Sequence, residues 1–367
     1  MNTHQNLIRR SYLLVTGLIA ATILAGLPFA PSSRPVAAPL PAQLSDQQFW
    51  KLSGDSSEPD GTFRSDNLLS NESFFQWVIP DLMRTTKPGR VYMGVGPEQN
   101  FTYIAATRPR MAFIIDIRRG NLDLLLMYKA LFELSQDRAE FVSRLFSKKR
   151  PEGLTTQSTA REIFTAFVSA ETSDELYKEN LKAIENHLTE KHGFPLSADD
   201  VAGIEYVYSA FHRYGPAINY SSTSGGFGGF GRATYANLMT ENDGKGQNRS
   251  YLANEDSYAY LKDLESKNLI VPVVGDFAGP KAIRAIGKYL KDMDATVSAF
   301  YLSNVEQFLR QDGIWNKFCG SSATLPLDDT STFIRSVRGG SYGPGPGLSS
   351  ELGNMLKDLK ECASNEK

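Results

Sequence analysis

Apolar positions along this chain follow two rhythms. Val91–Val95, Met111–Ile117, Ile270–Val274 and Val297–Leu302 are short, nearly unbroken apolar runs, the pattern of strands buried on both faces of a parallel sheet. Elsewhere apolar residues recur every three or four positions, as on helices that pack by one face. After the first run, Phe101, Ile104 and Ala105 form such a stripe, with Pro97 where a first helical turn tolerates it and Pro109 forbidding continuation. Between the third and fourth runs, Ile283, Ile286 and Leu290 do the same behind Pro280. The expected order is strand, turn, helix, strand, twice over. The right-handed crossover rule places these strands in one parallel sheet, so the fold class predicted is α/β.

A minimal strand-helix-strand unit needs about 30 residues, yet a far longer stretch separates the second run from the third. Helical stripes fill it. Asn121 to Leu134 carries Leu122, Leu125, Leu126, Met127 and Phe132, and Asp137 to Phe146 is a shorter amphipathic segment. Ser197 and Asp200 form a capping box for a helix bearing Val201, Ile204, Val207, Tyr208 and Phe211, closed by Gly215-Pro216. A helical insertion over 148–267 is therefore expected between sheet-forming parts at 43–147 and 268–338. The lead-in, Gln43 to Thr86, reads as irregular and ends in one amphipathic helix, Asn71 to Met83. At the other end, 339–367 reads as a Gly/Pro hinge, Gly339 to Gly347, followed by a tail helix, Ser349 to Lys360.

The first 42 residues do not belong to the globule. Arg9 and Arg10 precede the apolar run Ser11 to Ala30, about the 20 residues a membrane span needs, and a Pro-rich stretch follows. This predicts a signal peptide or an N-terminal membrane anchor, with everything after about Ser32 exported: periplasmic, or held on the cytoplasmic membrane facing outward. RRSYLL also resembles a twin-arginine signal. A net charge of -2 offers no attraction to polyanions, so nucleic acid is not an expected partner and a small-molecule ligand is. The two cysteines, Cys319 and Cys362, can pair in an oxidising compartment without competing connectivities, or stay as two thiols.

The chemistry concentrates in RVYMGVGPEQNFTYIAATRPRMAFIIDIRR, Arg90 to Arg119. Gly94 and Gly96 let the backbone turn sharply and let a ligand approach the main chain, while the first amides of the helix offer unpaired donors. Glu98 and Asn100 stand in this turn. Asp116 follows Gly96 by the separation of about 20 residues at which an acid can accept both hydroxyls of a ribose, and Arg118 lies beside it. A dinucleotide fingerprint would need a third glycine where Gln99 stands. The turn GVGPEQN instead resembles motif I of the class I S-adenosylmethionine-dependent methyltransferases. That resemblance implies a Rossmann-like sheet, S-adenosylmethionine as cofactor, Asp276 and Phe277 at the adenine-facing turn, and catalytic groups at the end of a later strand, where Ser303, Asn304 and Glu306 stand. PEQNFTYIA, VPVVGDFAGPKA, FYLSNVEQFL and LPLDDTSTFIRS further resemble signatures of a bacterial family of uncharacterised proteins that share this core.

Other chemistries find less support. His4, His187, His192 and His212 show neither HxxxH nor HExxH spacing, so no metal ligand set is expected. No serine sits in a GxSxG elbow. Arg108, Arg110, Arg118 and Arg119 could hold an anion or form a solvated basic edge. SSTSGGFGGFGRATY, Ser221 to Tyr235, reads as a mobile lid or a flexible linker. Two functions stay open: a methyltransferase-like cofactor-binding protein, with or without transferase activity, and a non-catalytic envelope protein that binds another ligand or serves a structural purpose on the same fold.

Overall fold

The structure is a computed structural model that describes residues 39–223, 232–345 and 348–364. The apolar segment Ser11 to Ala30, the centre of the glycine-rich loop and Pro346-Gly347 of the hinge lie outside the described residues. Among the described residues no helix is long and apolar enough to cross a membrane.

Six strands form one sheet in the order β3-β2-β1-β4-β5-β6: β1 Val91–Val95, β2 Met111–Asp116, β3 Ile270–Val274, β4 Val297–Ser303, β5 Thr332–Arg338 and β6 Leu348–Asn354. The first five run parallel and β6 returns antiparallel along β5. The order reverses direction at β1, so β1 and β4 splay their following segments to opposite faces, and a crevice opens at their carboxyl ends. The three strands β1 to β3 are buried throughout, as their uninterrupted apolar runs require.

The segment between β2 and β3 is helical, and it joins the core instead of standing apart. Helix Arg119–Leu134 follows β2 and is buried along most of its length. Arg138–Phe146, Ala198–Tyr214 and Glu255–Ser266 pack around it, and their apolar faces merge with the sheet in one hydrophobic core. Ser197 caps Ala198–Tyr214 reciprocally with Asp200, and Gly215, at φ 55°, ends it.

Three sequence expectations are corrected. The lead-in is not irregular: Asp46–Ser56 is a helix, opened by a capping box of Ser45 and Gln48, and its hydroxyls bond the edge strand β3. No helix covers Asn71 to Met83. Phe74 takes φ 63°, the chain then makes a 3-10 turn, Phe75–Val78, and the helix is Ile79–Thr85. The stripe pattern misled because Glu72, on the same segment, is drawn into a buried polar network while Phe74 is left partly exposed. The tail helix starts later, at Met355–Ser364, because Leu348–Asn354 pairs with β5 from Thr332↔Asn354 to Arg338↔Leu348. Serines and glycines hid that strand. Gly340 is needed for the return, since a Cβ there would lie 2.6 Å from the Ser349 carbonyl oxygen. A disulfide between Cys319 and Cys362, Cα atoms 6.3 Å apart, ties the tail helix to Trp315–Ser322.

Candidate functional site

Four strand ends meet at one cavity. After β1 the chain turns through Gly96, at φ 76°, into helix Gln99–Thr107; β2 ends on Asp116; β3 gives way to Gly275-Asp276-Phe277; β4 ends on Ser303, itself at φ 49°, before Asn304. The lead-in loop around Thr62 to Asn71 lies over them. Together they line a cavity of about 550 Å³, within the size range of small-molecule sites. Its walls mix polar groups, among them Asn67, Asp116, Asp276 and Asn304, with the rings of Phe63, Tyr301 and Phe308.

Gly96 and Asp116 face one another across this mouth. A Cβ on Gly96 would lie 3.9 Å from Asp116 Oδ2 and 3.1 Å from Asn67 Nδ2, so the bare backbone leaves room for both side chains at the cavity wall. The other oxygen, Oδ1, accepts the Arg118 backbone N–H at 2.9 Å, and the Arg118 Nε stands 3.5 Å away. Burial pushes the Asp116 carboxyl up; the Arg118 charge, its N–H and the Asn67 side chain oppose this without cancelling it.

Of the residues singled out by sequence, Gly96, Asp116, Asp276, Phe277 and Asn304 line the cavity, and Gly94, Glu98, Asn100, Arg118 and Glu306 do not. The second group builds the frame. A Cβ at Gly94 would come within 1.8 Å of Asn100 Oδ1, so this glycine admits the asparagine side chain rather than a ligand. Asn100 Nδ2 donates to the carbonyls of Val95, Gly96 and Pro97 at 2.9, 3.2 and 2.8 Å, and its Oδ1 accepts the Tyr92 hydroxyl at 2.9 Å. It holds the glycine turn in shape. Glu98 is fully buried and accepts the Ser70 backbone N–H at 3.3 and 3.2 Å; burial pushes its carboxyl up to about 8. Glu306 turns away to Arg310 and Arg335, at 2.6 and 2.9 Å, in a depression next to Cys362.

Phe277 lines the cavity while stacking on Phe300 and Phe318, with centroids 5.8 and 6.1 Å away. Asp276 is fixed by its own turn: its N–H donates to Glu58 Oε2 at 2.9 Å and its Oδ1 accepts the Ala278 N–H at 2.8 Å. Glu58 also accepts the N–H groups of Lys281 and Ala282, capping helix Ala282–Asp292. The expected crowd of arginines disperses. Arg108 pairs with Asp256 over the Tyr260 ring, Arg119 pairs with Asp200, and only Arg118 of the four adjoins Asp116.

Sequence reasoning missed Glu72. Its Oε1 accepts the Ser303 Oγ at 2.5 Å and the Tyr301 hydroxyl at 2.9 Å, and its Oε2 accepts Gln99 Nε2 at 3.2 Å. Burial raises this carboxyl against those bonds. Ser303 therefore links a buried carboxyl to the cavity wall. Asn67 and Phe63 were missed too, because loop residues carry no periodic signal.

Two of the histidines converge on one acid. His187 and His192 lie five residues apart on the π-helical turn His187–Lys191, and both reach Glu133 near the amino ends of the strands. His212 meets Asp174 instead, at 3.1 Å.

Residues 68–194 and 231–351 match the family model described as a domain of unknown function (DUF7790). More than half of the chain is covered, and the protein belongs to that family. No curated protein matches it. The two matched blocks contain all four strand ends at the cavity, whereas Phe63 and Asn67 of the overlying loop fall just outside them.

Proposed function

We propose that the cavity binds a nucleoside-bearing cofactor of the S-adenosylmethionine kind, and that this is a methyltransferase-like protein exported to the periplasm or anchored outward on the membrane. The observation that carries the reading is the pairing of Gly96, at positive φ, with the Asp116 carboxylate on the cavity wall at the carboxyl ends of β1 and β2. In doubly wound sheets this is where a ribose is held. Asp116 Oδ2 would accept ribose hydroxyls, the Asp276-Phe277 turn would flank the base, and Ser303 and Asn304 would stand at the reacting end.

Bound there, S-adenosylmethionine supplies an electrophilic methyl group. The chain's own part is to orient a nucleophile and take its proton. Ser303, hydrogen-bonded to Glu72 and lining the cavity, is placed for that task, and Glu306, which does not line the cavity, is not. Asn304 would position the substrate. Glu306, already paired with two arginines, would serve the fold.

The N-terminal arginines and apolar run favour a second reading. Export separates the domain from a cofactor made in the cytoplasm, and on that ground the cavity would take another ligand in a non-catalytic envelope protein. Calorimetric titration of the purified chain with S-adenosylmethionine, nucleotides and dinucleotides separates the two. Binding of the first, lost in Asp116→Ala, supports the cofactor reading. No heat at about 1 mM, the weak end of specific binding, leaves the second.

A further inference from the structure

At the opposite end of the sheet from the cavity, three side chains bring one atom each to a common point. Glu133 lies in the last turn of helix Arg119–Leu134, and His187 and His192 bracket the π-helical turn. That turn closes with a bond from the His192 N–H to the His187 carbonyl at 3.2 Å, which sets residues five apart on one face. Both imidazole Nε2 atoms lie against the same oxygen, Glu133 Oε2, at 2.9 and 3.0 Å. The side chains are 4%, 7% and 7% exposed.

His192 is also held from its other side. Its Nδ1 stands 2.6 Å from Asp46 Oδ1, which also accepts Asn268 Nδ2 at 2.8 Å. A carboxylate at one ring nitrogen orients the imidazole and leaves the other facing the common point, where the three ligand atoms all lie within 4.8 Å of one another.

We propose that Glu133, His187 and His192 form a site for a divalent transition-metal ion of the zinc type. Two imidazole nitrogens and a carboxylate oxygen are a zinc donor set, and imidazoles are foreign to the all-oxygen sites of magnesium and calcium. Metal–ligand bonds of about 2.0–2.2 Å place tetrahedral neighbours about 3.3–3.6 Å apart, so the imidazole nitrogens, 2.9 and 3.0 Å from Glu133 Oε2, need to draw back from that oxygen by only about half an ångström. The surrounding contacts are of the kind ligands require. Asp46 holds the second nitrogen of His192, and Lys129 Nζ holds Glu133 Oε1 at 2.8 Å, leaving Oε2 to the ion. Lys191 Nζ lies 3.3 Å from Oε2 on a side chain 60% exposed, free to swing out as the ion enters, and solvent completes the fourth position. The ion would fasten helix Asp46–Ser56 to the helix after β2 and to the π-turn, independently of what the cavity binds.

The test uses the full chain, without a histidine tag, stripped by a chelator and titrated with cobalt(II) and zinc(II). The expected result is one equivalent of cobalt giving the intense visible bands of a four-coordinate ion, displaced by zinc, with zinc raising the Tm. His187→Ala and His192→Ala should each weaken binding about a hundredfold, and Asp46→Asn about tenfold. Lys191→Ala, at an exposed position that places no burden on folding, should tighten zinc binding severalfold by removing a competing charge. The proposal is overturned if cobalt shows only the faint bands of the hydrated ion. It is also overturned if zinc shifts the Tm of His192→Ala as much as that of the parent, or if Lys191→Ala binds zinc no more tightly. The cluster is then a carboxylate held between protonated rings. Should the histidine variants not fold, the cobalt spectrum of the parent and the Lys191→Ala affinity decide alone.

Discussion

Glu98 and Glu133 are both sunk into the protein, near opposite ends of the sheet, and their carboxyls are displaced in opposite directions. Around Glu98 burial prevails, opposed by little beyond the Ser70 N–H, and the group is pushed up to about 8. Around Glu133 burial pushes the same way, but His187, His192 and Lys129 outweigh it and hold the carboxyl well below its usual range. Depth alone therefore does not set the charge of a buried acid; the supply of opposite charge does. At the cavity end, Glu72 and Glu98 are given neutral donors, and Asp116 one arginine whose pull falls short. At the amino end two lysines and two imidazoles surround the acid, and it holds chain segments together.

The sharpest way to break this contrast is Glu133→Gln. Removing the carboxylate strands two ammonium groups and two rings around a neutral amide, and a broken buried pair of this kind costs about 3–5 kcal/mol, read by urea unfolding at neutral pH. Since the folded protein holds this carboxyl below the unfolded value near 4.5, its contribution is present above that pH and lost as the pH falls further. The gap between parent and variant should narrow in acid. An undiminished gap at about pH 3 would mean that packing, not charge, was removed.

Glu98→Gln should act with the opposite sign. The folded protein retains a proton on Glu98 that the unfolded chain releases, so the parent is relatively most stable below about 4.5 and loses that advantage as the pH rises through about 8. Glutamine cannot ionise. At about pH 9 the variant should be the more stable by on the order of 3 kcal/mol, and near pH 4 the two should unfold together. A flat difference across that range would remove the distinction between the two ends.

Gly96→Val comes next. A branched side chain at φ 76° should cost about 1–3 kcal/mol of stability, and it would also fill the space between Asn67 and Asp116. Ligand binding should disappear, and retention of binding would show that the turn is not the cradle. Asp116→Ala should cost the fold about 1–3 kcal/mol, since it takes the acceptor from the Arg118 N–H and the nearest acid from a largely buried guanidinium, while weakening a ribose-bearing ligand at least tenfold, roughly 1.4 kcal/mol. A variant that unfolds while keeping its affinity would make Asp116 structural.

How much of this was readable beforehand follows from where each signal is written. The four parallel strands β1 to β4 announce themselves because burial on both faces leaves few polar residues to confuse the run; Val91–Val95 and Ile270–Val274 end where expected. β6 does not, since an edge strand of serines, glycine and glutamate needs little apolar surface. In the site, Gly96 and Asp116 were visible through local chemistry at a fixed separation. Gly94 and Asn100 were visible for the wrong reason, as their partners turned out to be one another. Glu72 and Ser303 meet across more than two hundred residues, and the bond between them belongs to no pattern within either segment. The histidines were hidden by geometry: a five-residue spacing means little on an α-helix and brings side chains together only where the helix widens.

The outer strand β3 has one more consequence, for how this molecule behaves in a crowd of its own copies. A sheet with a bare border can be lengthened by any extended chain that docks there, including another copy. Here Pro272 removes one donor from the border strand; Ser53 Oγ occupies the Pro272 carbonyl at 2.5 Å, Ser57 Oγ receives the Val274 N–H at 3.0 Å, and the Glu58 N–H meets the Val274 carbonyl at 2.8 Å. The helix Asp46–Ser56 thus seals that flank with its own hydroxyls. Loss of the helix by proteolysis near the exposed Asp60, which follows it, would expose a short, wholly apolar strand, and the trimmed protein should polymerise edge to edge where the intact one stays apart.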